Sequence, residues 1–408
     1  MSEDNVIPIR VDAEPASSRH SQWLYVARLV LEQLGVKAAV APGASDNRPP
    51  EGKGVWLGDR VLLPAAKLDE LFGIATLKRE IDSGLRDRHG RFDEDHSPWP
   101  GDRPVIWDFA TELRRQLQDA HLPAPSPPST FRVFFTHDVD RTTDMEPVML
   151  FKWFLRTLKL VPPDSQLKHP FAPHRITSLV ERLLEIEAAM GISSWTFCLA
   201  GPYSIREGGS RYDSNWPSAR RIFRAIRNHH GHIGLHGSFY AHEQDAYERE
   251  RRRLENACGT PVVSHRNHYL RFDSSRLWTQ LEQAGIQLDM SIGYVRRIGF
   301  RSGLCHAYRP YDLLRQKPAN VIEVPMIFME NYDYLELDPT LAYVASQLQI
   351  VKQAGGCVSI LLHPDKMAAD DGSWIQFYRC LIRVARDMGA DVSGQLPKFD
   401  ADQLVWVG

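Results

Sequence analysis

The chain has 408 residues, 43% hydrophobic and 25% charged, which is typical of a globular protein with a sizeable core. Its formal net charge of −2 lacks the basic excess of nucleic-acid-binding proteins, so no nucleic-acid partner is expected. The five cysteines form no CxxC pair, which argues against a zinc finger or a disulfide framework and favours a reducing compartment.

Residues 1–20 are polar and acidic, without the basic start and apolar stretch of a signal peptide. We predict that they form a flexible tail. The sequence also contains no run of about 18 apolar residues, so no transmembrane segment is expected. Together these features predict a cytoplasmic protein.

Residues 21–120 predict a small α/β domain. A helix is predicted over Gln22–Leu34 from its apolar spacing, and another over Val105–Leu117. Short apolar runs broken by Gly, Pro and Asp predict strands between these helices. The predicted strands are Ala38–Val40, Val55–Leu57 and Val61–Leu63. We find no chemical motif in this region.

The stretch 121–130 reads HLPAPSPPST and predicts a stiff, extended linker that separates two domains. Beyond it, residues 131–408 alternate strand-like runs with helical segments, which indicates parallel β/α architecture. Seven short strands suit a distorted (β/α)7 barrel better than an open sheet. The predicted strands are Phe131–Phe135, Trp195–Leu199, His232–Leu235, Pro261–Val263, Ile286–Met290, Val321–Val324 and Cys357–Leu362. In such barrels the site forms at the C-terminal ends of the strands.

Two carboxylates, Asp138 and Asp140, follow the first predicted strand and are separated by one residue. One of them can bind a metal while the other acts as a base. A turn or a helix cap is the ordinary explanation of such a pair taken alone. His236 and His242 follow the third strand, and imidazoles are common zinc ligands, although each can equally be a structural histidine.

Three more predicted strands end in polar residues. Arg266 follows the fourth strand and can hold a carboxylate in its ionised form, or else form a surface ion pair. Asp289 ends the fifth strand. His363 follows the last strand, where a histidine is well placed as a general acid. Each motif is weak alone, but their order at successive strand ends favours one shared site.

These motifs resemble the polysaccharide deacetylase superfamily, carbohydrate esterase family 4 with its NodB homology domain, over about Phe131 to Leu396. The closer resemblance is to a bacterial subgroup with a THDVD first motif and an extra N-terminal domain. Three phrases carry it, namely HDVD from His137, RNHYLRF from Arg266 and GFRSG from Gly299.

The resemblance implies a role for each matching residue. Asp138 corresponds to the base, Arg266 to the residue that tethers it, and His363 to the general acid. Asp140 and His236 correspond to ligands of a divalent metal, for which zinc is expected. The resemblance also implies the distorted barrel and hydrolysis of a C–N bond.

The third protein ligand stays open. The superfamily places its two second-motif histidines four residues apart, whereas here Tyr240 stands four residues after His236, and His242 stands six after it. His242 is the nearest candidate ligand. Water, Ser238 or His137 are alternatives, and so is a site that has lost its metal.

Aromatic side chains near the motifs suit a carbohydrate cleft, because sugar rings pack their apolar faces on aromatic planes. Packing in the barrel is the alternative for each ring. The predicted substrate-binding residues are Tyr240, Tyr269, Arg271, Asp289 and Trp195. The apolar helical pattern over 145–160, with its basic stripe, allows peripheral membrane contact. A helix packed on the protein is the preferred reading of that segment.

The function expected from these features is a metal-dependent hydrolase. It would remove an N-acyl group, expected to be acetyl, from an amino sugar of a bacterial surface polysaccharide or its precursor. One alternative is hydrolysis of a small cyclic amide or ureide on the same fold. Another is a catalytically inactive sugar-binding or assembly protein. The expected partner is therefore a carbohydrate or another small molecule.

Overall fold

The computed structural model describes most of the chain. The described residues are 6–11, 17–40, 54–57, 60–96, 101–119, 121–122, 124, 131–142, 154–155, 157–158, 175–204, 210–330, 336–365 and 372–407. Most of the predicted linker 121–130 and of the segment 145–160 therefore lies outside the described residues. No helix in the described part is long and apolar enough to cross a membrane.

The first unit contains a four-stranded sheet with the strand order β2-β1-β3-β4. Its strands are β1 Val6–Val11, β2 Lys37–Val40, β3 Gly54–Leu57 and β4 Arg60–Pro64. Its helices are α1 Ser18–Gln33, α2 Ala65–Ala75, α3 Lys78–Ser83 and α4 Val105–Asp119. The predicted helices and strands of this region are all present, and α2 and α3 are additional.

The prediction of a flexible tail over residues 1–20 is wrong, because β1 lies within it and α1 begins at Ser18. Strand β1 is internal to the sheet, where it pairs with β2 in parallel and with β3 antiparallel. Ile7 and Ile9 are buried while their neighbours face outward. This alternation is the strand period of two. The polar residues on both sides of the short segment obscured that period.

The second unit is a parallel sheet of eight strands in the order β12-β9-β8-β7-β6-β5-β14-β13. Its strands are β5 Phe131–Val139, β6 Trp195–Leu199, β7 His232–Gly237, β8 Ser264–Asn267, β9 Leu288–Asp289, β12 Ile322–Glu323, β13 Met326–Met329 and β14 Cys357–Leu361. A short β15, Ala390–Asp391, also pairs with β5. A separate hairpin joins β10 Tyr311–Asp312 and β11 Lys317–Pro318.

Helices cover the outside of this sheet between successive strands. They are α5 Arg175–Ala189, α6 Pro217–Asn228, α7 Tyr247–Cys258, α8 Leu277–Gln283, α9 Leu337–Ala354 and α10 Ser373–Asp387. Their alternation with the strands is the β/α architecture that the sequence predicted. The fourth strand begins at Ser264 rather than within Pro261–Val263. The predicted sixth strand, Val321–Val324, contains only β12, and β13 follows it as an additional strand.

The two edge strands, β12 and β13, are separated along the chain only by Val324 and Pro325. The Val324 N–H donates to the carbonyl of Asp289, 2.9 Å away on the β9 side. The Pro325 carbonyl accepts from the Ser359 N–H of β14 at 2.8 Å. One short segment therefore contacts both edges, and the sheet curls into the distorted α/β barrel that the sequence predicted.

The first unit packs closely on the barrel. The Tyr25 hydroxyl donates to the carbonyl of Arg309 at 3.0 Å, and buried Glu32 accepts from the N–H of Leu404 at 2.7 Å. Arg301 forms an ion pair of 2.6 Å with Glu80. Buried apolar side chains of both units form one continuous core. The boundary at 121–130 stays a prediction, and the contacts on either side of it are extensive.

Candidate active site

Strand β5 presents alternate side chains to opposite faces of the sheet. Asp138 lies on the inner face, almost fully buried. The intervening His137 lies on the other face, where its Nδ1–H donates to the carbonyl of Leu362 at 2.9 Å and its Nε2 lies 2.6 Å from Glu187. His137, one of the alternative ligands, is therefore directed away from the inner face.

Asp138 is held by Arg266, which is completely buried. The guanidinium donates to Asp138 Oδ1 at 3.0 Å and to the Thr136 hydroxyl at 2.8 Å. It also donates to the carbonyl of Met290 at 2.8 Å and lies 4.5 Å from the ring centroid of Phe197. A buried cation fixed in this way holds the carboxylate in one orientation, as a general base requires.

Asp140, His236 and His268 bring three metal-ligating atoms to within 4.8 Å of one another. Asp140 Oδ1 lies 3.3 Å from His236 Nε2 and 3.4 Å from His268 Nε2. The His236 Nδ1–H donates to the carbonyl of Arg266 at 3.0 Å. Because a carbonyl only accepts, this bond leaves the lone pair of a neutral ring on Nε2, facing the carboxylate.

Asp140 Oδ1 and His236 Nε2 are close but are not aligned for a hydrogen bond, and within the described part of the chain neither has a hydrogen-bond partner. Burial raises the pKa of Asp140, but His268 and His236 outweigh it and hold that pKa well below its usual range. Burial lowers the pKa of His268, which keeps its ring neutral. Two imidazoles and one carboxylate are a donor set that suits zinc and similar divalent metals.

The third member of this group is His268, not His242. His242 Nε2 lies 3.3 Å from the Arg271 guanidinium, and burial together with Arg271 lowers the pKa of His242 to about 4. Ser238, another alternative ligand, donates its hydroxyl to Glu250. The loop after β7 turns back on itself through a hydrogen bond from the Ala241 N–H to the Ser238 carbonyl, so His242 stays outside the group.

The sequence contained a signal for His268 that was missed. In the barrel β7 and β8 are neighbours, and His236 is paired with Arg266 in their register. His268 stands two residues beyond Arg266, at the point where the strand ends. Residues two apart on a strand share a face, so this position was available to converge with His236.

His363 lies beside Asp138 and Asp140. Its Nδ1–H donates to the Glu330 carboxylate at 2.6 Å, and its Nε2 lies 3.9 Å from both Asp138 Oδ2 and Asp140 Oδ2. Glu330 is buried directly after β13 and was not identified from the sequence. A carboxylate on one ring nitrogen fixes the tautomer and leaves the other nitrogen for proton transfer.

Three of the predicted substrate-binding residues lie on or beside the loop after β7, next to His268, and we call this region the mouth of the site. The Tyr240 side chain is 43% exposed, and Tyr269 is half-buried beside the His268 ring. Arg271 also lies there, but it donates to the carbonyl of Phe239 at 2.8 Å and pairs with Glu243. We therefore assign Arg271 to holding the loop after β7.

Two predicted substrate-binding residues lie away from the mouth. Trp195 begins β6, so it is at the opposite end from the site; it is buried, and its Nε1–H donates to the carbonyl of Gly394 at 3.0 Å. Asp289 is fully buried, with its carboxylate 2.7 Å from His265 Nδ1 and accepting from the Ser291 hydroxyl at 2.8 Å. Trp195 fills the barrel interior, and Asp289 belongs to a polar network inside the wall.

No family model and no curated protein matches the chain. Among solved structures, a candidate polysaccharide deacetylase from Mycobacterium smegmatis shares 16% identity over 66% of this chain and 90% of its own, with a TM-score of 0.45. A family 4 carbohydrate esterase from Streptomyces lividans shares 11% identity over 68% of this chain and 97% of its own, with a TM-score of 0.36.

A carbohydrate esterase family 4 pseudoenzyme from Bacillus anthracis shares 11% identity over 65% of this chain and 64% of its own, with a TM-score of 0.37. At these identities the similarity concerns the fold, and the chemistry of this chain rests on its own residues. The solved structures to which this chain is similar thus include polysaccharide deacetylases.

Proposed function

We propose that this chain is a metal-dependent hydrolase that removes an N-acyl group, most simply acetyl, from an amino sugar of a bacterial surface polysaccharide or its precursor. One observation carries the proposal. A base candidate held by arginine, Asp138, and an acid candidate held by a carboxylate, His363, both lie beside the Asp140, His236 and His268 group.

The metal group fits this chemistry. Asp140, His236 and His268 would hold a divalent metal, and zinc is the ion that this donor set suits best. When bound, such an ion polarises the acyl carbonyl and makes water a better nucleophile. Among the described residues, the buried atoms Asp140 Oδ1 and His236 Nε2 have no hydrogen-bond partner, which supports this assignment.

The protein's own side chains would carry the protons. Asp138 would accept a proton from the attacking water, and Arg266 would hold its carboxylate in the required orientation. His363 would donate a proton to the departing amine, which otherwise is too poor a leaving group for the C–N bond to break. Glu330 would hold the His363 ring in the tautomer that this step requires.

A comparison of substrates tests this proposal. The full chain, loaded with zinc, would be incubated with N-acetylglucosamine, tetra-N-acetylchitotetraose and a cyclic ureide such as allantoin. The proposal predicts acetate release from an acetylated saccharide, lost after removal of the metal and restored by adding zinc. Turnover of the cyclic ureide alone would contradict the sugar assignment. Turnover of none of the three by a protein that binds zinc would contradict these substrate classes.

A further inference from the structure

A short turn of the first unit, held by internal hydrogen bonds, lies beside the mouth of the site. Residues 86–92 form this turn, with Arg86 and Phe92 bridged across its base. The Asp87 carboxylate accepts from the N–H of His89 and of Arg91, both at 2.9 Å, and from the Arg91 side chain at 2.8 Å. A carboxylate that accepts several hydrogen bonds from within one turn fixes the shape of that turn.

The chain that follows the turn is anchored on the barrel. Glu94 is buried, and its carboxylate accepts from the N–H groups of Val295 at 2.5 Å and Arg296 at 3.0 Å. Arg296 also pairs with Asp95 at 2.8 Å. Hydrogen bonds from backbone donors to a buried carboxylate are strong, so the turn is held in a fixed position relative to the barrel.

The tip of the turn meets the mouth at two places. The His89 ring lies 5.1 Å from the ring of Tyr269, centroid to centroid. Gly90 has a φ of +74°, and a Cβ built on it would lie 3.0 Å from Arg271 Nε. Glycine is therefore required at Gly90 both for its conformation and for this close approach. Arg88 donates to His89 Nε2 at 3.0 Å, which steadies the ring.

Tyr269 connects this tip to the metal group. Its ring lies 4.5 Å from the ring of His268 and 5.5 Å from that of Phe239, which in turn lies 4.9 Å from Tyr240. Aromatic side chains thus extend from a metal-group residue to the protein surface. His89 is the member of this series that the first unit contributes.

The backbone at Tyr269 is strained in a way that keeps its ring at the mouth. Tyr269 and Leu270 have φ values of 62° and 51°, in the left-handed region that such residues rarely adopt. Such conformations persist where the surrounding structure imposes them. In this conformation Leu270 is buried, and the Tyr269 ring lies between the rings of His268 and His89.

From these contacts we propose that the turn 86–92 forms one wall of the substrate cleft, and that His89 and Tyr269 bind a second sugar ring next to the acylated one. This inference rests on the proposed function and deepens it. Tyr269 lies between His89 and the metal group, so the His89 ring is placed to contact a neighbouring sugar unit rather than the reacting acyl group. Ring faces bind the apolar face of a sugar without requiring charge.

The test compares wild type with His89→Ala and with His89→Phe, which keeps a ring. The matched control is His96→Ala, since His96 is an exposed histidine of the same region that pairs with Asp93 at 2.9 Å. For each zinc-loaded protein, kcat/KM is measured on tetra-N-acetylchitotetraose and on N-acetylglucosamine. Binding of the tetramer to the metal-free protein is measured by calorimetry.

We expect His89→Ala to lower the tetramer-to-monomer ratio of kcat/KM about tenfold, the size of one lost ring contact, mainly through KM. Calorimetry should show a similar loss of affinity for the tetramer. His89→Phe should recover most of the lost ratio and affinity, and His96→Ala should match wild type in both. If His89→Ala lowers kcat/KM equally on both substrates, or on neither, the inference is overturned. Absence of acetate release by wild type would instead count against the proposed function. The calorimetric comparison then decides the inference alone, and equal or absent tetramer binding by wild type and His89→Ala overturns it.

Discussion

Glu330 and His363, which are 33 residues apart in the sequence, share a buried hydrogen bond of 2.6 Å from the histidine Nδ1–H to the carboxylate. The bond joins the end of β13 to the residues after β14, two strands that pair in parallel. It leaves His363 Nε2 facing Asp138 and Asp140. Glu330 is therefore a positioning residue for the proposed acid, and it offers a sharp test of that role.

Glu330→Gln should lower kcat about tenfold to a hundredfold with little change in KM, because the histidine loses the carboxylate that sets its tautomer and stabilises its protonated form. The descending limb of the pH–rate profile should move to lower pH. Metal content should stay at the wild-type level, since Glu330 is not in the metal group. A variant with unchanged kcat and pH profile would show that His363 does not act as the acid.

Asp138→Asn should separate catalysis from metal binding. The asparagine amide oxygen can still accept the hydrogen bond from Arg266, but the amide is too weak a base to take a proton from water. Turnover should therefore fall by about a hundredfold or more. Zinc content, measured by mass spectrometry, should remain at the wild-type value. Loss of zinc from Asp138→Asn would instead make Asp138 a ligand.

His306 provides a test of acid sensitivity away from the site. It is fully buried, its Nε2–H donates to the carbonyl of Ala354 at 3.0 Å, and burial lowers its pKa to about 4. Between about pH 6.5 and 4 the unfolded chain binds a proton at this residue that the folded chain does not. The free energy of unfolding should therefore decrease as the pH is lowered across this window. This residue should account for about 3 kcal/mol of the decrease.

His306→Gln, which keeps a donor near the Nε2 position, should remove that part of the pH dependence. The measurement is urea unfolding at several pH values between 4 and 7. His96→Gln, at an exposed histidine, is the control and should keep the wild-type slope. If His306→Gln loses as much stability on acidification as wild type, the buried histidine is not responsible.

The barrel could be predicted from the sequence because each strand is a compact apolar run followed by a polar residue. Strand β1 could not, since Ile7 and Ile9 show their period of two only over a few residues between polar flanks. The split between β12 and β13 was also missed. The residues that join them, Val324 and Pro325, hydrogen-bond to β9 and β14 on opposite sides of the curled sheet, which is a property of the complete sheet rather than of local sequence.

The site was predictable where a residue lies at the C-terminal end of its strand, as Asp138 and His236 do, or just after it, as His363 does. Spacing along the loop after β7 favoured His242 as the third ligand, but the neighbouring strand brings His268 there instead. Glu330 could not be found because its partner is distant in sequence. Trp195 and Asp289 carry chemically suitable side chains, but their depth in the barrel depends on the complete fold.

The central claim is that Asp140, His236 and His268 hold a divalent metal. Zinc affinity of wild type, His268→Ala and His242→Ala, measured by competition with a chelator alongside unfolding curves that confirm the fold, tests it most directly. We predict that His268→Ala loses at least about tenfold in affinity, because one of three protein ligands is gone. His242→Ala should bind one zinc per chain as wild type does. Wild-type affinity in His268→Ala together with loss of zinc from His242→Ala would contradict the assignment.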